Sequence, residues 1–91
     1  MQVAAPIRML TRLCPHCGQG SSLVLVSCPT CGRLGLECEE EGSIFDDARS
    51  PTKPVPGETP CRGCGRVAVA DFIHASDEVI RAHGFSAGEY E

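Results

Sequence analysis

The chain has 91 residues, a net charge of −4, seven Cys, no Trp, three Phe and one Tyr. That length holds one domain, and so few aromatics leave its core short of large fillers, so cross-links or metal must supply part of the folding free energy. No apolar run reaches membrane-spanning length, and the amino-terminal MQVAAPIRMLTRL, interrupted by Arg8 and Arg12, lacks the apolar stretch of a secretory signal, which points to a reducing cytoplasm.

In chain order, residues 1–13 form a lead-in with a short strand at IRMLTRL. Two C-x-x-C-G units follow, Cys14/Cys17 and Cys28/Cys31, with ten residues between Cys17 and Cys28. LVLVS (23–27) and RLGLECE (33–39) flank the second unit and predict a hairpin, with Leu34, Leu36 and Cys38 on one face by the two-residue period. Pairing across the turn sets Cys38 opposite Ser22. Before Glu37 the only charges are Arg8, Arg12 and Arg33, whereas from Glu37 onward twelve carboxylates face five bases. The densest stretch, 37–47, predicts an exposed acidic face of Glu39, Glu40, Glu41, Asp46 and Asp47 that repels nucleic acid and steers a basic partner.

Residues 46–60 hold four prolines and no apolar pattern, so they read as a loop with stiff extended pieces. A third unit, Cys61/Cys64, precedes RVAVADFIHA (66–75), which reads as a strand. ASDEVIRAHGF then predicts a short helix over 76–84, capped by Ser76 or Asp77, stopped at Gly84 and anchored by Val79 and Ile80. Nothing in the 85–91 tail demands order. The whole of 1–91 is one domain.

Six of the seven cysteines thus fall in C-x-x-C-G units. Two intervening residues turn the chain so that both sulfurs point at one centre. The following Gly supplies a conformation unfavourable to other residues, and turn amides can donate to the thiolates. Zinc takes four such ligands tetrahedrally. These units resemble the knuckles of zinc-ribbon and rubredoxin-like proteins: CPHCG and CPTCG have the CPxCG form those families favour, while CRGCG lacks the Pro. The resemblance implies a small metal-stabilised domain, a three-stranded antiparallel sheet with a short C-terminal helix.

The pairing of the units follows from strand length. Five extended residues, 23–27, carry the chain about 16 Å at ~3.3 Å per residue, which sets Cys14 and Cys17 at the far end of the hairpin from Cys28. Between Cys31 and Cys61 lie 29 residues, a spacing similar to rubredoxin's, which closes one metal across a Pro-rich loop. That resemblance covers residues 28–65 and implies a ligand role for Cys28, Cys31, Cys61 and Cys64. A strand over 66–75 running away from this site would bring His74 to Cys14, Cys17 and Cys38, making a second site and two zinc ions per chain. The rival is a compact ribbon in which Cys14, Cys17, Cys28 and Cys31 share one zinc, C-x-x-C-x₁₀-C-x-x-C being itself a zinc-ribbon spacing. Cys38 as a small buried hydrophobe and His74 as a surface residue are the bland readings of those two side chains.

No nucleophile–base pair or phosphate loop stands out, so the expected role is not enzymatic. The first reading is a zinc-binding structural module that presents a surface to another protein. A nucleic-acid-binding ribbon is the second, carried by Arg33, Arg62 and Arg66 beside the knuckles and opposed by net charge and few stacking aromatics. A thiol redox or metal-handling protein is the third.

Overall fold

The computed structural model describes residues 7–13, 22–38, 42–48 and 54–91. Among these, five strands make one sheet: β1 (Met9–Leu13), β2 (Ser22–Ser27), β3 (Leu34–Cys38), β4 (Ile44–Phe45) and β5 (Ile73–His74). β2 is its axis. Every residue from Leu23 to Ser27 is buried, as suits a short apolar run covered on both faces.

On one edge, β2 pairs antiparallel with β3 from Leu23↔Cys38 to Ser27↔Leu34, and β3 pairs in turn with β4 through Leu36↔Phe45 and Glu37↔Ile44. Directly paired residues share a face of the sheet. Leu23, Leu25, Leu34, Leu36, Cys38 and Phe45 therefore face one core, completed by Leu10, Ala48, Ala75, Phe85 and Tyr90. On the opposite face a Cβ on Gly35 would come within 2.7 Å of the Phe45 carbonyl and 3.5 Å of the Phe72 ring, so glycine is what lets both approach.

The other edge of β2 is divided. β1 takes its first half, with Met9↔Val24 and Leu13↔Ser22, and β5 takes its second half, with Val26↔His74 and Ser27↔Ile73. The change-over falls at Leu25. Its N–H donates to the Arg8 carbonyl at 2.7 Å, and its own carbonyl accepts from the Ala75 N–H at 3.0 Å.

After β5 comes the helix α1 (Asp77–Ala82). The Ser76 hydroxyl accepts from the Val79 N–H at 3.3 Å, a side-chain cap as expected for Ser at this position. Arg8 pairs with Asp77 at 3.0 Å, and the chain leaves the helix through Gly84 at φ +87°. Ile80 is fully buried and Val79, partly buried, packs against the same core, the two residues expected to anchor the helix.

Three expectations are corrected. Residues 66–75 do not form one strand: the chain makes a single bridge, Pro60↔Ala68, then a 3₁₀ turn at Val69–Asp71, and only then β5. The reason is slack. Cys64 lies beside Cys28, and Ile73 pairs with Ser27, the residue next to Cys28. Nine extended residues would span about 30 Å, so the surplus has to be wound up.

The 85–91 tail is ordered. Met9 and Glu91 exchange two backbone hydrogen bonds at 3.0 and 2.8 Å, which lays the tail along β1, while Phe85 and Tyr90 enter the core. Finally, the sheet has five strands rather than the expected three: among the additions, Ile44 and Phe45, inside the acidic stretch, form β4, and Val55 beyond it donates to the Ile44 carbonyl at 2.7 Å.

Candidate metal centre

The loops 28–32 and 61–65 are built alike. In the first, the Thr30 N–H donates to Cys28 Sγ at 3.4 Å and the Gly32 N–H to the Cys28 carbonyl at 2.9 Å. In the second, the Gly63 N–H donates to Cys61 Sγ at 3.3 Å and the Gly65 N–H to the Cys61 carbonyl at 2.7 Å. Each closing glycine is left-handed, Gly32 at φ +79° and Gly65 at φ +67°, a conformation that a Cβ disfavours.

The two loops meet face to face. Cys28 Sγ lies 3.7 Å from Cys64 Sγ and Cys31 Sγ lies 3.5 Å from Cys61 Sγ, and all four sulfurs fall within 4.8 Å of one another. A tetrahedron of Zn–S bonds near 2.3 Å has edges of about 3.8 Å, so the donor set fits a four-coordinate soft-ligand ion such as Zn²⁺. Gly63 tightens the fit. A Cβ there would stand 2.8 Å from Cys31 Sγ and 3.6 Å from Cys61 Sγ, in the space between sulfurs of the two loops.

The ligands differ in exposure: Cys28 and Cys61 are buried, Cys64 is partly covered and Cys31 is exposed. They also differ in proton affinity. Burial pushes the Cys28 thiol up, but the amides of Cys31 and Thr30, with the neighbouring Cys64 and Cys31 sulfurs, outweigh it and bring the thiol down to about 6. At Cys31 the Arg33 amide lowers the value. Desolvation and the Cys61, Cys28 and Cys64 sulfurs prevail, and the thiol is pushed up to about 11. A thiolate cluster without a cation therefore retains a proton that an arriving metal displaces.

Asp46 braces the loops. It is buried at the end of β4, against the expectation of an exposed acidic face; Glu39, Glu40 and Glu41 lie outside the described residues, and Asp47 is half-buried. Its backbone carbonyl accepts from Arg33 Nε at 2.9 Å, and its carboxylate lies 3.6 Å from Arg62 Nε. Two of the three arginines beside the knuckles are thus turned onto one aspartate.

The second expected ligand set has a different outcome. Cys14 and Cys17 lie outside the described residues. Cys38 is buried in the core opposite Leu23, one residue from the Ser22 register expected of it. His74 pairs with Val26 and so lies on the opposite face of the sheet from Cys38, at the knuckle end of β2 rather than the far end. Two strand spacings of about 4.8 Å and three residues of about 3.3 Å separate them, more than one tetrahedral ion can bridge. The reason is the early folding-back of residues 66–72, which starts β5 at Ser27. For the compact ribbon, Cys28 and Cys31 face Cys61 and Cys64 among the described residues, and its other two members, Cys14 and Cys17, lie outside them.

Asp46 and Gly63 are the site residues that sequence reading missed. Gly63 carried a faint signal, as a glycine inside a knuckle where no turn rule asks for one; Asp46 carried none, since it is one acid in a run of acids. Comparison with models of protein families, with curated proteins and with solved structures gives no match.

Proposed function

We propose that the chain is a zinc-binding structural module, in which Cys28, Cys31, Cys61 and Cys64 hold one Zn²⁺ and the folded surface serves contact with another protein in a reducing compartment. The observation that carries this reading is the meeting of four sulfurs, from loops 30 residues apart in sequence, within 4.8 Å of one another. Bound there, zinc would supply folding free energy that the core of a chain with only four aromatic residues does not. Four protein sulfurs also fill all four positions of a tetrahedral ion, which favours a structural over a catalytic role. The engagement of Arg33 and Arg62 by Asp46 favours a protein over a nucleic acid as partner. No helix among the described residues is long and apolar enough to cross a membrane.

The test is metal analysis of purified full chain with and without Cys61→Ser and Cys64→Ser. Loss of one zinc per chain is the expected result, and any zinc remaining belongs with Cys14 and Cys17. An unaltered chain without metal would overturn the reading. One observation favours the redox alternative: exposed Cys31 has its sulfur 3.5 Å from that of Cys61. Thiol titration of the protein as purified separates the two, because a redox protein would yield a disulfide-bonded fraction and no stoichiometric zinc.

A further inference from the structure

We infer that Asp46 is a positioning residue for the metal centre, a clamp that sets the separation of the two cysteine loops. The inference rests on the zinc reading above and adds to it a residue that touches no metal. Asp46 is one of only two buried polar or charged residues among those described, the other being Ser27. Its position is fixed by β4, because Phe45 before it pairs with Leu36 and Ile44 with Glu37.

From that fixed point it holds one residue of each half-site. Its carbonyl takes the Arg33 guanidinium at 2.9 Å, and Arg33 follows the Cys31–Gly32 end of the first loop, its own carbonyl accepting from the Cys28 N–H at 2.9 Å. Its carboxylate faces Arg62 at 3.6 Å, and Arg62 lies between Cys61 and the Gly63 whose N–H donates to Cys61 Sγ. Cys31 and Cys61 are the ligands whose sulfurs stand 3.5 Å apart. The clamp therefore acts on the cross-loop pair that must open or close when metal enters. Outer groups of this kind orient ligands ahead of binding, and their removal commonly costs about 10- to 100-fold in metal affinity. The carboxylate–Arg62 pair is partly solvated, the arginine side chain being 66 % exposed, which points to the low end of that range.

The experiment titrates full-length, reduced chain with Zn²⁺ against a chromophoric chelator and with Co²⁺ followed by its visible ligand-field bands. The variants are Asp46→Asn, Arg62→Gln, Arg62→Lys and the Asp46→Asn/Arg62→Gln pair. Expected are a loss of zinc affinity of about tenfold in Asp46→Asn and in Arg62→Gln, no further loss in the pair, and recovery in Arg62→Lys, which keeps the charge. The Co²⁺ bands should broaden or shift in the variants that lose affinity. A role confined to packing β4 would lower thermal stability without moving those bands. Arg62 is exposed, so its variants remain informative where Asp46→Asn folds poorly. Unchanged affinity in Arg62→Gln, or additive losses in the pair, overturns the clamp alone. A chain that takes no metal before any substitution overturns the zinc reading, and the clamp with it.

Discussion

The two cysteine loops reach the same local conformation from unequal foundations. Loop 28–32 closes a hairpin in which five residue pairs of β2 and β3 are in register, and the Cys28 N–H bonds to the Arg33 carbonyl at 2.9 Å. Loop 61–65 stands on no regular strand pair: it has the bridge Pro60↔Ala68, one residue more in the closure, where the Cys61 N–H reaches the Val67 carbonyl at 2.7 Å, and the bonds of Val69 and Ala70 N–H to the Thr59 and Gly57 carbonyls at 2.9 and 3.0 Å. The first half-site is therefore present wherever the sheet is present. The second rests on Asp46 and on the 3₁₀ turn behind it, and a metal bound by the four sulfurs would hold it further. A four-sulfur centre of this kind is a preformed jaw and a recruited one.

Breaking the comparison most severely means removing the metal. Chelation of the reduced chain, or Cys61→Ser with Cys64→Ser, should abolish zinc binding at this site. It should also remove hydrogen-exchange protection at Cys61, Gly65 and Val69 well before Leu25 and Leu36. Structural zinc in small domains accounts for about 10–16 kcal/mol of apparent binding free energy, enough to unfold the weaker loop. Simultaneous loss of protection in both loops would show that the hairpin also depends on metal.

Next in size is the inner glycine. Gly63→Ala places a methyl 2.8 Å from Cys31 Sγ, whereas the matching position of the first loop is the exposed Thr30. Overpacking of this order costs about 1–3 kcal/mol, so zinc affinity should fall roughly ten- to a hundredfold in Gly63→Ala and hardly change in Thr30→Ala. Competition titration measures both, and equal effects would mean that the loops are interchangeable after all.

Acidity sharpens the contrast between the two ligands of the first loop. Cys28, brought down to about 6, is a thiolate through neutral pH, while Cys31, pushed up to about 11, still carries its proton. Metal must displace the Cys31 proton, so zinc affinity should rise by about tenfold per pH unit per proton displaced between pH 6 and 8, and fall more steeply below 6 as Cys28 protonates too. Zinc competition across that range checks the sign; a flat profile would contradict it. The smallest effect is expected at the closing glycines. Gly32→Ala and Gly65→Ala each force a Cβ into a left-handed conformation at about 1–2 kcal/mol, and thermal melts of the zinc-loaded chain should show similar losses for the two.

What could be read from the residues was local chemistry. C-x-x-C-G describes a loop whose amide–sulfur and closing-glycine bonds lie within five residues, and the alternation of Leu34, Leu36 and Cys38 identified the core face of β3. What escaped were quantities fixed by distant closure. The register missed by one residue, because the loop bonds Cys28 to Arg33 and so aligns Cys38 with Leu23 rather than Ser22. Strand 66–75 failed because its two ends are tied near the same end of the hairpin, which its own side chains do not reveal. Asp46 read as surface because it stands among acids; its burial comes from the pairing of Ile44 and Phe45 with β3. The tail did carry a signal: Phe85 and Tyr90 are two of the four aromatic residues, and a chain so short of them has reason to bury both.

The divided edge of β2 bears on the order of assembly. Leu25 joins residues 8 and 75 through its own two backbone groups, across sequence separations of 17 and 50 residues. Closing the longer loop costs about 1 kcal/mol more in chain entropy by logarithmic scaling. Contact with residues 73–75 should therefore form late, after the hairpin and β1. Until it does, Val26 and Ser27 present an open strand edge beside a half-built thiolate site, and the same segment from a second chain would satisfy the same hydrogen bonds. Refolding from concentrated solution thus carries a risk of strand exchange at this edge, and a metal bound by the four sulfurs, by drawing Cys61 and Cys64 to their own hairpin, would shorten the time in which it can happen.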